Sequence, residues 1–272
     1  MPEWASFALA TVALTLLLLY FTRRSQRLLA RARIVDSRTE VVDAESDGES
    51  DLACADGESG PESDPSEARP VLTTRLLLAN AAASQAGGLV VLAAVAWWAA
   101  VPTAAFGIGE THPTLGAPAF ASLGVFEVGA FGVAAGVVLA AGNEAAARLG
   151  ARVGVAPSGR LRAAMAPGTA GEWALLLGVA LPIVAAFEEA LFRGALVGAL
   201  AAGFAIDPWL LAVGSSVAFG LGHGAQGRLG VVVAGALGLA LAGLFAVTGS
   251  LLVPVVAHYV VNAVEFAVHE GP

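Results

Sequence analysis

Lysine is absent from this 272-residue chain and cysteine occurs once, as Cys54. One thiol permits neither an intrachain disulfide nor a Cys-based zinc site. An HExxH sequence is also missing, which removes the helical two-histidine zinc site of that type. Charge is scarce: 13% of residues are charged, against about 25% in an ordinary soluble domain. Apolar residues make up 57%, and mean hydropathy is +0.76. These values argue against a soluble α/β enzyme and against a disordered acidic chain. Apolar runs near or above the ~18 residues that can cross a bilayer recur throughout, so the chain reads as an integral membrane protein.

The net charge of −8 is at odds with so apolar a composition until it is mapped. Of 22 acidic residues, 12 lie between Asp36 and Glu67; residues 36–70 carry −10, leaving +2 for the rest. This Ser/Asp/Glu/Gly/Pro-rich stretch cannot bury a core and reads as a disordered linker, a solvated tether. All 14 basic residues are arginine. With the Ala/Gly/Val richness, this suggests a high-GC prokaryotic genome.

Apolar runs fall at residues 4–21, 76–101, 118–141, 173–203, 207–222, 229–248 and 250–268. The expected fold is therefore an all-α, polytopic transmembrane bundle of about seven spans. The fourth run is long for one helix and the fifth is short, so eight is the alternative count. The first run lacks a basic leader and a small-residue cleavage site, and arginines follow it, as in a retained anchor. Seven spans with the N-terminus outside put 13 of the 14 arginines in loops on the inner side, where positive charge collects. The division expected is an anchor with basic flank (1–35), the acidic linker (36–70), accessory spans with a loop (71–172) and a C-terminal helical core (173–268). The location expected is the cell membrane, multi-pass, with the acidic linker cytoplasmic.

Ionisable groups at bilayer depth are costly and need a partner or a task. The candidates are Glu127, Glu188, Glu189, Arg193, His223, His258 and Glu265, with Asn262 as a buried amide. In FEEALFRGAL, Glu189 and Arg193 are four apart and can pair on one helical face. Packing alone explains that pair but leaves Glu188 over, about 100° around the helix. A second carboxylate beside a pair fits general-base chemistry, since burial and a like charge raise a carboxyl pKa. In AFGLGHG, Phe219 and His223 share a face. In the last run, His258, Asn262 and Glu265 form one stripe, with Pro254 expected to loosen the helix just before it. Polar glue between helices is the bland account of that stripe. Together the groups supply a base, two imidazoles and an amide donor, the requirements for amide hydrolysis. Glu127 is expected near mid-span with a polar neighbour, and Glu265 at the solvated interface.

The order Glu188-Glu189-x-x-x-Arg193, Phe219-x-x-x-His223 and His258-x-x-x-Asn262 resembles the CPBP family, the CAAX proteases and bacteriocin-processing enzymes, also called Abi. The resemblance covers about residues 173–268. It implies an intramembrane endopeptidase in which Glu188, helped by His223, activates water. His258 and Asn262 would then stabilise the oxyanion, and Glu189 would be held by Arg193. It implies a metal-free mechanism and no cofactor; the alternative is zinc on Glu188, His223 and His258 with an open fourth position. The partners implied are membrane-embedded or lipidated protein substrates and the lipid bilayer, with no nucleic acid. An ion-coupled transporter using the same carboxylates is a competing class, opposed by the lack of an internal repeat. A catalytically silent binding or immunity protein is a third, opposed by the intact motif set. Geometry poses one difficulty. A straight helix from Trp173 puts Glu188 about 22 Å deep in a core about 30 Å thick, with His223 near the edge.

Overall fold

The computed structural model describes residues 1–29, 33–35, 71–109, 112, 114–152, 154 and 158–271. The acidic segment 36–70 and Cys54 lie outside the described residues. Six helices are long and apolar enough to cross a membrane, and a seventh, Pro208–Gly222, is a shorter apolar helix. In chain order they are α1 (Trp4–Leu29), α2 (Thr74–Trp98), α3 (Val125–Arg152), α4 (Ala170–Phe204), α5 (Pro208–Gly222), α6 (Gly227–Thr248) and α7 (Leu252–Glu270). The all-helical polytopic bundle is thus present, with one addition. Arg33–Val35 and Val71–Thr73 form a short parallel strand pair at the two ends of the acidic segment.

Local chemistry sets the boundaries. Thr169 opens α4 with a capping box to Glu172. The helix ends at Ala205 in the left-handed region (φ +53°). Asp207 then accepts from the backbone N–H groups of Trp209 and Leu210, with Pro208 in the first turn of α5. Gly249, at φ +66°, closes α6. Pro254 falls in the first turn of α7, where its missing N–H has no helical acceptor. It therefore starts the helix, contrary to the expected loosening. The third span also begins later than expected. Residues 118–121 form a separate turn, and α3 starts at Val125, so Glu127 is exposed in its first turn and not at mid-span. The charge of Glu127 there faces the positive end of the helix dipole.

The long fourth run is one helix with two π-helical stretches, Leu176–Ala180 and Ala190–Ala199. The first has a visible cause. Pro182 has no N–H for the carbonyl four residues back, and the Leu181 N–H bonds to the Leu176 oxygen, five back. This frees the Leu177 carbonyl, which accepts from the Tyr259 hydroxyl of α7 at 3.2 Å. In the second stretch, the Phe192 carbonyl accepts from Ser215 Oγ (2.6 Å) and the Gly198 carbonyl lies 3.0 Å from His112 Nε2.

The core centres on α4. Phe187, Leu191, Phe192, Ala195 and Val197 are buried, joined by Phe7 of α1 and Phe106 from the connection after α2. The N-terminal helix is therefore packed into the bundle, with Trp4 against Gly203 and Leu19 near Gly222. The connection between α2 and α3 is buried at Ala99, Val101, Ala105, Phe106, His112 and Leu115. Its backbone bonds to the α6–α7 turn through Gly107, His112, Gly116 and Ala117. α7 packs in parallel along α3, where Gly132 meets Val256, and Gly136 meets Val260 and the Ala257 backbone. A Cβ at Gly136 would lie 2.7 Å from Val260 Cβ, so only glycine admits this approach. The segments bearing Arg160, Arg162 and Arg228 meet at one end. There Ser158 N–H bonds to Gln226 O (3.0 Å), and Arg162 pairs with Glu265 (2.8 Å) and Glu270 (3.0 Å). Glu265 is thus half-buried and held by Arg162.

Candidate active site

Glu188 and Glu189 lie on α4 where its first α-helical section, Leu181–Glu189, gives way to the second π stretch. π turns inside α-helices are frequent at functional sites because they redirect side chains without ending the helix. Glu189 and Arg193 are fully buried and their expected pair forms: Arg193 Nη1 donates to Glu189 Oε1 at 2.6 Å. Arg193 Nη2 donates to the Gly238 carbonyl of α6 at 2.9 Å, and the guanidinium lies 4.5 Å from the Phe219 ring centroid. Sequence reasoning missed Gly238; its signal was faint, a glycine in the small-residue run GALGLALAG. A Cβ there would stand 3.4 Å from Arg193 Nη2 and 3.2 Å from the Phe219 ring.

His258 of α7 joins the two carboxylates. Its Nδ1 is 2.7 Å from Glu189 Oε1, and its Nε2 is 3.8 Å from Glu188 Oε2. A carboxylate only accepts, so the proton sits on Nδ1 and Glu189 fixes the tautomer. Glu189 Oε1 thereby receives two donors, while its Oε2 and Arg193 Nε are buried without a protein partner. Glu188 differs. Its side chain retains 14% exposure, and among the described residues its one ion-pair neighbour is His258 Nε2, at 3.8 Å. Of the two adjacent carboxylates, one is locked and the other is open.

His223 caps the end of α5, and no hydrogen bond joins it to Glu188. Its Nδ1 lies 2.9 Å from the Phe219 carbonyl, which only accepts, so Nδ1 carries a proton and the neutral ring keeps its lone pair on Nε2. Phe219 bridges the difference in depth: its centroid is 4.5 Å from the His223 ring and 5.8 Å from the His258 ring. Asn262 is half-buried one turn beyond His258 on α7. The structure thus gathers Glu188, Glu189, Arg193 and His258 directly, connects His223 through Phe219, and places Asn262 on the same helix as His258. Among the described residues, no group of three His, Cys, Asp or Glu side chains is spaced to hold a metal ion.

Behind the Phe219–Gly238 wall, α5 and α6 enclose an open apolar groove of about 330 Å³, lined by Val213, Ser216, Val217, Val232 and Leu239 among others. It is separate from the carboxylates.

Residues 170–264 match the family model described as type II CAAX prenyl endopeptidase, Rce1-like. No curated protein and no solved structure matches the chain. The matched stretch begins at α4 and holds Glu188, Glu189, Arg193, His223, His258 and Asn262. With that match on helices α4–α7 of an all-helical polytopic bundle, residues 170–264 are similar to the type II CAAX prenyl endopeptidases.

Proposed function

We propose that the protein is an intramembrane endopeptidase in which Glu188 activates the attacking water. The observation that carries this reading is the division of labour between adjacent carboxylates. Glu189 is fully buried and held by Arg193 and His258, whereas Glu188 is partly open and faces His258 Nε2. Glu188 takes a proton from water as the oxygen attacks the carbonyl carbon, with the His223 Nε2 lone pair orienting that water. Asn262 donates to the oxyanion, and His258 donates from Nε2 only as the imidazolium, with its Nδ1 proton still held by Glu189. Glu188 then returns the proton to the leaving nitrogen as the C–N bond breaks. General-base catalysis supplies typically 10²–10⁴-fold and one oxyanion donor about 10²–10³-fold.

The substrate class is a membrane-embedded or lipidated protein. The apolar groove between α5 and α6 supports a lipid-bearing substrate, because it opens beside the site wall and carries no charged lining residue. The orientation proposed puts the arginine-bearing end, with the acidic segment, in the cytoplasm. The test is cleavage of a quenched, farnesylated peptide ending in a CAAX sequence by purified protein in proteoliposomes. Glu188→Ala abolishes cleavage and leaves thermal melting in place; full activity in that variant refutes the mechanism. Incubation with EDTA separates metal-free from zinc-dependent catalysis, since a zinc enzyme loses activity on chelation.

A further inference from the structure

The inward stripe of α2 runs through Leu78, Ala82, Gln85, Leu89, Leu92, Ala96 and Ala99, at alternating spacings of four and three. Leu78, Ala82, Leu92 and Ala99 are buried, and Leu89 and Ala96 pack on the core. Gln85 is the one polar member. Its Oε1 is buried and has no protein partner. A glutamine serving as glue between helices uses its amide on a neighbouring helix; here the acceptor end is buried and unspent.

Register shows what lies opposite. α2 and α4 run in parallel: Leu78 clusters with Leu176 and Leu181, and Gly88 faces the Phe187 ring, with room for no Cβ. Gln85 is three residues before Gly88, and Glu188 one residue after Phe187. At 1.5 Å per residue, Gln85 therefore lies about 6 Å from Glu188 along the helix axes, toward the arginine-bearing end. An extended peptide advances about 3.3 Å per residue, so this offset equals about two residues of substrate.

We infer that Gln85 is a substrate-contacting residue whose carboxamide oxygen accepts a backbone N–H of the extended substrate, about two residues from the bond at Glu188. A peptide entering a water-poor site brings unpaired backbone N–H groups that must find acceptors. Gln85 offers one at the right depth, from a helix outside the matched stretch 170–264. This inference rests on the endopeptidase reading.

The experiment compares wild type, Gln85→Leu and Glu188→Ala in proteoliposomes, using the quenched farnesylated CAAX peptide and single N-methylated versions of it. Gln85→Leu removes the unspent acceptor at similar size. The expected result is a melting temperature equal to or above wild type, KM raised about tenfold, and kcat within twofold. Wild type discriminates against one N-methylated position near the cleaved bond, and Gln85→Leu does not. A Gln85→Leu protein with wild-type KM and unchanged N-methyl discrimination overturns the inference and leaves the endopeptidase reading intact. So does activity that falls only in step with the melting temperature, since that marks a packing role. Wild type that leaves the peptide uncut, or Glu188→Ala that cuts it as well as wild type, overturns the endopeptidase reading and the inference with it.

Discussion

Substituting either member of the Glu189–Arg193 pair exposes an asymmetry that the geometry sets in advance. Both side chains are at most 1% exposed, so removing one leaves a charge that water cannot reach. Breaking a buried pair this way typically costs 3–5 kcal/mol. Arg193→Met leaves Glu189 with the Nδ1 proton of His258 at 2.7 Å and places its loss near the lower end, about 3 kcal/mol. Glu189→Met leaves the guanidinium with only the Gly238 carbonyl at 2.9 Å and the Phe219 face, near the upper end, about 5 kcal/mol. The double variant Glu189→Met/Arg193→Met has no stranded charge, and its cost falls below the sum of the singles by about 2–3 kcal/mol. The assay is thermal melting of detergent-solubilised protein. At roughly 2–4 °C per kcal/mol for a chain of this size, the singles drop by about 6–20 °C and the double recovers part of the loss. Additive losses, or a single loss below about 1 kcal/mol, would refute the claim that this pair is buried and mutually dependent.

Gly238→Val places two methyl groups against Arg193 and Phe219, and overpacking of this kind costs typically 1–3 kcal/mol; a lowered melting temperature with reduced peptide cleavage checks it. Burial holds the His112 imidazole below its usual pKa, although the Gly198 and Ala105 carbonyls act in the opposite sense. Its native form is therefore neutral: stability is fully present above about pH 6.5 and is lost as pH falls below it. Melting temperatures between pH 7.5 and 5 should fall for wild type and fall less for His112→Gln, which keeps a donor for the Gly198 carbonyl without a titrating ring. Equal slopes for the two proteins would remove His112 as the source.

The seven apolar runs were legible because length and hydropathy alone define a span, and the spacing Glu189–Arg193 was enough to predict their pair. Other features depended on partners far away in sequence. Nothing in AFGLGHG shows that Phe219 carries the contact between His223 and His258, since that needs α5 and α7 side by side. Gly238 contributes a backbone carbonyl, which any residue possesses. The first π turn follows from Pro182 only once Tyr259 is known to take the Leu177 carbonyl. Glu127 was placed at mid-span because a hydropathy window joins 118–121 to α3, whereas Ser122, Leu123 and Gly124 break the helix between them.

The close seam between α3 and α7 carries a consequence for where loss of function can originate. α3 holds none of the six polar site residues, yet Gly132 and Gly136 let α7 slide no nearer and no farther than their bare backbones allow. His258 is one residue after Ala257, whose backbone touches Gly136. A random-mutagenesis screen should therefore recover inactive alleles at Gly132 and Gly136 beside those at the acids and histidines. A chimera that borrows α4–α7 from another protein would need a third helix with the same two gaps.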